Sequence, residues 1–228
     1  MLLVSMLAGL VGIRVQRARR QRDAAVSLGR IGGQLTYASN DSVPLVVRDL
    51  LEPQLGRDFF DSVVEADIEL RFADTTPGHL AAWRHIGALP QLTTLRVDYP
   101  QRYPRSRFNI GPIRRLTKLH TLKIRDARID GDDLAPLAKM LSLAELDLSH
   151  NQVGDAAWRH LAAAPKLHKL DASYSFVSDQ GAAHLAGCQH LRHLVLRRTN
   201  ITDRGAAELA KLPSLETLDL EGTRITDQ

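Results

Sequence analysis

In the C-terminal half of the chain, apolar residues return at a fixed interval. Leu119, Leu143, Leu167, Leu191 and Leu215 stand 24 residues apart, so five units keep one register without a gap. Three residues beyond these come Leu122, Leu146, Leu170, Leu194 and Leu218, and two further on Ile124, Leu148, Ala172, Leu196 and Leu220. Alternation over so short a run predicts a strand with one face turned inward. Ile129, Val153, Val177, Ile201 and Ile225 follow after a turn, and in four of the five units an aspartate comes next: Asp155, Asp179, Asp203 or Asp227. Leucine-alanine pairs at Leu137, Leu161, Leu185 and Leu209 then predict a helix of about two turns, with the aspartate as its N-cap. Pro165 and Pro213 stop two of these helices.

No single unit buries its apolar face alone, so units must stack on a shared core. Strands spaced about 4.8 Å apart occupy less room than helices about 10 Å wide, and the stack curves with its strands inside. The expected fold is an α/β solenoid, with parallel strands on a concave face and short helices on the convex one.

The run L-x-x-L-x-L-x-x-N-x-V from Leu143 to Val153 resembles the leucine-rich-repeat family. The likeness covers residues 89–228, with weaker repeats reaching back through Leu92, Leu95 and Val97. The I-T-D-x-G segment at Ile201–Gly205 resembles ribonuclease-inhibitor-like and F-box-associated repeats. The resemblance implies protein binding on the concave face, and leaves an F-box-like adaptor as one alternative.

The family's strand-following asparagine is kept only at Asn151, its place being taken by Ala127, Ser175, Thr199 and Thr223. A hydroxyl makes part of the amide's hydrogen bonds and a methyl none, so the turn at Ala127 is expected to be the loosest. Tyr99–Arg107, rich in proline and arginine, reads as a loop. The chain stops at Gln228, where a helix after Asp227 should start, and is expected to be a fragment.

Ahead of the repeats, residues 33–88 read as a capping region with a degenerate repeat. Met1–Ile13 contain one polar side chain, Ser5. As a helix these residues rise roughly 20 Å, short of the roughly 30 Å of a bilayer core. They nevertheless lack the polar face of a core helix and the leading positive charge of a signal peptide, and are expected to be a membrane anchor. Residues 14–32 read as a basic juxtamembrane helix ended by Gly32 and Gly33, with Arg14, Arg17, Arg19, Arg20 and Arg22 as candidate membrane-surface residues. Those arginines place the repeats in the cytoplasm; without insertion the chain is a soluble cytoplasmic protein. This N-terminal half, with Leu55–Asp61, resembles small membrane-anchored bacterial leucine-rich-repeat proteins.

Charge changes the picture little. Six arginines against Asp23 in the first 32 residues give +5, so with a net charge of +4 the remainder sums to −1. A nearly neutral repeat domain gives no basic face for nucleic acid; anionic lipid or nucleic acid acting through residues 14–30 is the alternative. The nine histidines follow the repeat, as His120 with His168 and His160 with His184. Metal-ligand spacing, phosphate loop and nucleophile elbow are all missing from the sequence, so no enzyme, cofactor, metal or small-molecule substrate is expected. Cys188 takes a place held elsewhere by Leu116, Met140, Ala164 and Leu212, which makes it a core residue.

The strand's outward positions form two columns: Arg96, Lys123, Asp147, Asp171, Val195 and Asp219, then Asp98, Arg125, Ser149, Ser173, Arg197 and Glu221. Asp147 and Asp171 fall side by side, a like-charge pair answered by a partner's cation, by Lys123 or by Lys169. Tyr174 and Phe176 fall on the rim, either as contact residues or packed on the next coil. The candidate protein-binding residues are therefore Lys123, Arg125, Asp147, Asp171, Tyr174, Phe176, Arg197 and Asp219, for a partner protein the sequence does not name.

Overall fold

A computed structural model describes residues 2–39, 48, 52–59, 61–69, 83–98, 109–129 and 131–226. The loop expected at Tyr99–Arg107 and the helix after Asp227 lie outside them.

Eight strands form one sheet in chain order: β1 (Gly33–Ala38), β2 (Ser62–Glu69), β3 (Thr94–Asp98), β4 (Thr121–Arg125), β5 (Glu145–Asp147), β6 (Lys169–Asp171), β7 (His193–Val195) and β8 (Thr217–Asp219). β1 is antiparallel to β2, and every later pair is parallel. Sheet order equal to chain order means that each coil pairs only with its neighbours, as a solenoid requires. The register aligns Leu95, Leu122, Leu146, Leu170, Leu194 and Leu218 in one row. The interior is a single apolar cluster running from Ala24 to Leu212.

The other half of each coil is less uniform than the period predicts. Asp179–Leu185 and Asp203–Leu209 are α-helices of the expected length. Gly111–Arg115 and Gly131–Lys139 are 3₁₀ turns instead, the first holding a proline at its start and the second Pro136 inside. Inside a helix proline lacks the N–H that the α form needs and crowds the preceding turn, which accounts for the second; a proline in the first turn has no such effect, and does not account for the first. Asp155–Trp158 is a single α turn that gives way to a 3₁₀ turn at Leu161–Ala163.

At the N-terminus one helix runs through both expected segments. A single helix, α1 (Leu2–Arg30), crosses the boundary at residue 13 without a break. Over its C-terminal half it buries Ala18, Gln21, Ala24 and Leu28, one stripe at helical spacing, so this part of the basic segment is built into the solenoid's first end. Gln21 Nε2 donates to the Asp61 carbonyl at 2.9 Å. Gly32 follows at φ +86, a left-handed ending open to glycine. The helix is thus not the separate apolar element expected, because its apolar start continues into a run of arginines. No helix among the described residues is long and apolar enough to cross a membrane.

Candidate functional site

Among the described residues five coils leave their strands through a left-handed residue at one repeat position, Asp126, His150, Tyr174, Arg198 and Gly222, with φ between 54 and 69, and the first of these turns has a second at Arg128. Only glycine takes this conformation without cost, so the turn sets the backbone and not the side chain. Side chains at these positions stand along the rim. Tyr174 is half-exposed, stacked on the His150 ring with centroids 4.2 Å apart, and Phe176 is 59% exposed instead of packed on a coil.

Beneath the rim, Asn151 holds the turn of the coil before its own. Its Oδ1 accepts from the amides of Ala127 (3.0 Å) and Ile129 (3.1 Å), and its Nδ2 donates to the Ile124 and Leu148 carbonyls (2.7 and 3.0 Å). The turn at Ala127 is therefore held by the next coil, contrary to the expectation of looseness there. Ser175, Thr199 and Thr223 each donate only to the carbonyl three residues back.

The recurring aspartates do not cap their own helices. Ser178 and Thr202 are the N-caps, accepting from the amides of Gln180 and Arg204. Each aspartate reaches forward one coil instead: Asp155 accepts from the amide and hydroxyl of Ser178, Asp179 from those of Thr202, and Asp203 from those of Thr226. This ladder sits in helix first turns, where a carboxylate also meets the positive end of the peptide dipoles.

On the strand face, Asp147 and Asp171 are in direct register, as expected. The cation answering Asp147 is Arg125 rather than Lys123 or Lys169: its Nε donates to Asp147 Oδ2 at 2.8 Å. Lys123 lies in register with Asp147 but makes no ion pair among the described residues, and Lys169 stands 4.0 Å from Glu145. Arg197 grips Asp219 at 2.7 Å and Glu221 at 2.9 Å. Asp147 is only 6% exposed and also accepts from the amide and hydroxyl of Ser149, so it serves the fold.

A groove of about 670 Å³ gathers Asp98, Arg125, Asp171, Arg197 and Asp219 from the predicted columns and Tyr174 from the predicted rim, while Lys123, Asp147 and Phe176 are not in its lining. Phe176 instead joins Tyr174 in a rim hollow of about 320 Å³ with Arg128 and Gln152. Sequence reasoning missed His150, whose signal was its place one period before Tyr174, and placed Ser173 in an outward column without singling it out, though it is buried in the groove wall. Burial pushes the Asp98 carboxyl above its ordinary value; Arg125 opposes this, while Asp67, Asp147 and Asp126 add to it. Arg14, Arg17, Arg19, Arg20 and Arg22 are exposed on α1, and their segment lies at the stack's first end, where Arg14 and Arg17 border a separate hollow beside Asp58 and Asp61.

A sheet-lined stack of short coils, its face broad and its groove open, defines a repeat module that presents a surface. The chain carries leucine-rich repeats: leucine-rich-repeat family models match residues 165–225 and 139–157. It is similar to the crystal structure of an internalin C2 from Listeria monocytogenes, at 27% identity and TM-score 0.51 over 63% of this chain and 58% of that one. An internalin of the same organism, internalin F, aligns at 21% identity and TM-score 0.44 over 63% of this chain and 46% of that one. A plant peptide hormone receptor, RGFR1 in complex with RGF2, aligns at 18% identity and TM-score 0.44 over 62% of this chain and 22% of that one. The chain thus spans under two thirds of each of these proteins. No curated protein sequence matches it. Leucine-rich-repeat domains are in general protein-interaction modules and typically non-catalytic.

Proposed function

We propose that the chain is a non-catalytic protein-binding module that reads its partner with the strand face and the Tyr174 rim. The observation that carries this reading is Tyr174 and Phe176, at 50% and 59% exposure, standing beside an open charged groove. Exposed aromatics next to polar recognition groups supply the area that dominates most interfaces. Tyr174 also holds a left-handed conformation that glycine, asparagine or aspartate takes at lower cost, so the turn itself gives no reason for a tyrosine.

Affinity capture with the full chain as bait is the test, since α1 belongs to the fold. Tyr174→Ala with Phe176→Ala is expected to lower capture of the specific partner about tenfold or more. Unchanged capture sinks the reading. Asp147→Lys is the wrong probe, because losing Asp147 disturbs Arg125 and Ser149 inside the sheet.

A second reading concerns α1, where Arg19, Arg20 and Arg22 stand exposed off the buried Ala18–Leu28 stripe, while Arg14 and Arg17 border the hollow beside Asp58 and Asp61. They suit an anionic membrane surface, with the apolar residues before them as the tether and the repeats on the cytoplasmic side. Vesicles containing phosphatidylserine should sediment the chain, and rising salt should release it. Equal binding to neutral phosphatidylcholine vesicles would count against the arginines.

A further inference from the structure

The strand face has its own rule for neutralising charge. An arginine in the second outward column reaches the aspartate in the first outward column of the next strand, 22 residues on, as Arg125 does to Asp147 and Arg197 to Asp219. Applied to Asp171, the rule calls for an arginine at position 149. The residue there is Ser149, whose amide and hydroxyl are both spent on Asp147 Oδ1. Asp171 keeps one hydrogen bond, from the Ser173 amide at 2.9 Å, and no ion pair among the described residues. The groove's own arginines are committed elsewhere, Arg125 to Asp147 and Arg197 to Asp219 and Glu221, while Lys169 lies towards Glu145 and Lys123, outside the groove lining, stands one strand further off in register with Asp147.

Three further features surround this gap. Val195 lies in register with Asp171 and gives the groove an apolar wall. Tyr174 offers half of its surface at the rim. Ser173, only 4% exposed and lining the same groove, has a hydroxyl with no hydrogen-bond partner. An orphaned polar atom of this kind is uncommon in a settled fold and marks a group awaiting a ligand.

We propose that this part of the groove is a socket for an arginine side chain of a protein partner, its guanidinium taking against Asp171 the place that Arg125 and Arg197 take against their own aspartates. The proposal rests on the protein-binding reading above and names its chemistry. A guanidinium suits the socket better than an ammonium, because its planar fork bonds a carboxylate and a hydroxyl together while lying against an aromatic ring. The groove is short of positive charge, with Arg125 and Arg197 set against Asp98, Asp126, Asp171 and Asp219. An anionic ligand would meet these carboxylates unscreened.

The test is an amide chemical-shift titration of the full chain with a blocked Gly-Ser-Arg-Ser-Gly peptide and its citrulline counterpart, which keeps the shape and loses the charge. Millimolar binding of the arginine peptide is expected, with shifts centred on Asp171, Ser173, Tyr174 and Val195. Citrulline should weaken it about tenfold, and so should Asp171→Asn, which keeps an acceptor for the Ser173 amide. Ser149→Arg should abolish binding by filling the socket from within. Should Ser149→Arg fail to fold, Asp171→Asn still decides the question. Absence of binding, equal affinity for citrulline, or an unaffected Asp171→Asn chain overturns the proposal. If that happens while the rim variant still loses its partner, the socket falls and the protein-binding reading stands. A socket that behaves as expected in a chain whose rim variant captures normally leaves the rim reading to fall alone.

Discussion

Asn151 shows how much one buried amide holds. It is 2% exposed and ties its own coil to the preceding one through both of its polar ends. Asn151→Ala removes the partner of two amides and three carbonyls and is expected to cost about 3 kcal/mol in urea unfolding. The Ala127 amide, hydrogen-bonded to Asn151, should lose its hydrogen-exchange protection in that variant. Cys188 is a second case. At 4% exposure, burial pushes its thiol up to about 12, so it stays protonated at neutral pH. A thiol reagent should leave it unmodified in the native chain and label it in denaturant; rapid native labelling would overturn its assignment to the core.

The strand–turn–helix element explains its own D-x-G signature. A Cβ on Gly205 would stand 2.4 Å from Asp179 Oδ1, and one on Gly181 at the same distance from Asp155 Oδ1. Glycine is required there by the carboxylate of the previous coil, not by its own dihedrals. One coil earlier the place of that aspartate is held by Gly131, and the matching glycine position is free to be Ala157. Gly205→Ala should therefore cost about 2 kcal/mol. The cost should shrink in an Asp179→Gly background, which recreates the Gly131 and Ala157 pairing. A double-mutant cycle with no coupling would contradict the ladder.

The same ladder sets an acid limit. The Thr202 hydroxyl, followed by the Thr202 and Gly205 amides, holds the Asp179 carboxyl below its ordinary 3.8 against the effect of burial. The amide and hydroxyl of Thr226 do the same for Asp203. A depressed carboxyl contributes stability that is fully present above its unfolded value and is lost as pH falls through the folded one. Urea midpoints should fall as pH drops below about 3.8, and Asp179→Asn should flatten that fall.

At the scale of the whole molecule, the solenoid is closed at its first end by α1. Leu28 is fully buried in the common cluster, and Leu28→Ala should cost about 3 kcal/mol. Removing residues 1–30 should lower the melting temperature of the whole stack rather than release an independent anchor. In a one-dimensional array, loss of a terminal packing partner weakens the neighbouring coils in turn.

The groove and its rim were partly legible in advance. Tyr174 and Phe176 could be placed by counting from Leu167, and the side-by-side placing of Asp147 and Asp171 followed from parallel register. His150 and Ser173 were passed over because neither stands out by residue type. Their importance comes from a ring stacked one coil away and a hydroxyl left without a bond.

The sequence by itself determined the coil, its period and its apolar rows, because a gapless 24-residue repeat forces identical units to bury identical positions. Only the tertiary structure decided which side chains complete one another. Arg125 with Asp147, Asp155 with Ser178 and Asn151 with Ala127 lie 22–24 residues apart and meet solely because adjacent coils stack in register. The gap at Asp171 belongs to that second class: Ser149 is an unremarkable residue in the chain, and a missing cation only where the face pairs on the diagonal.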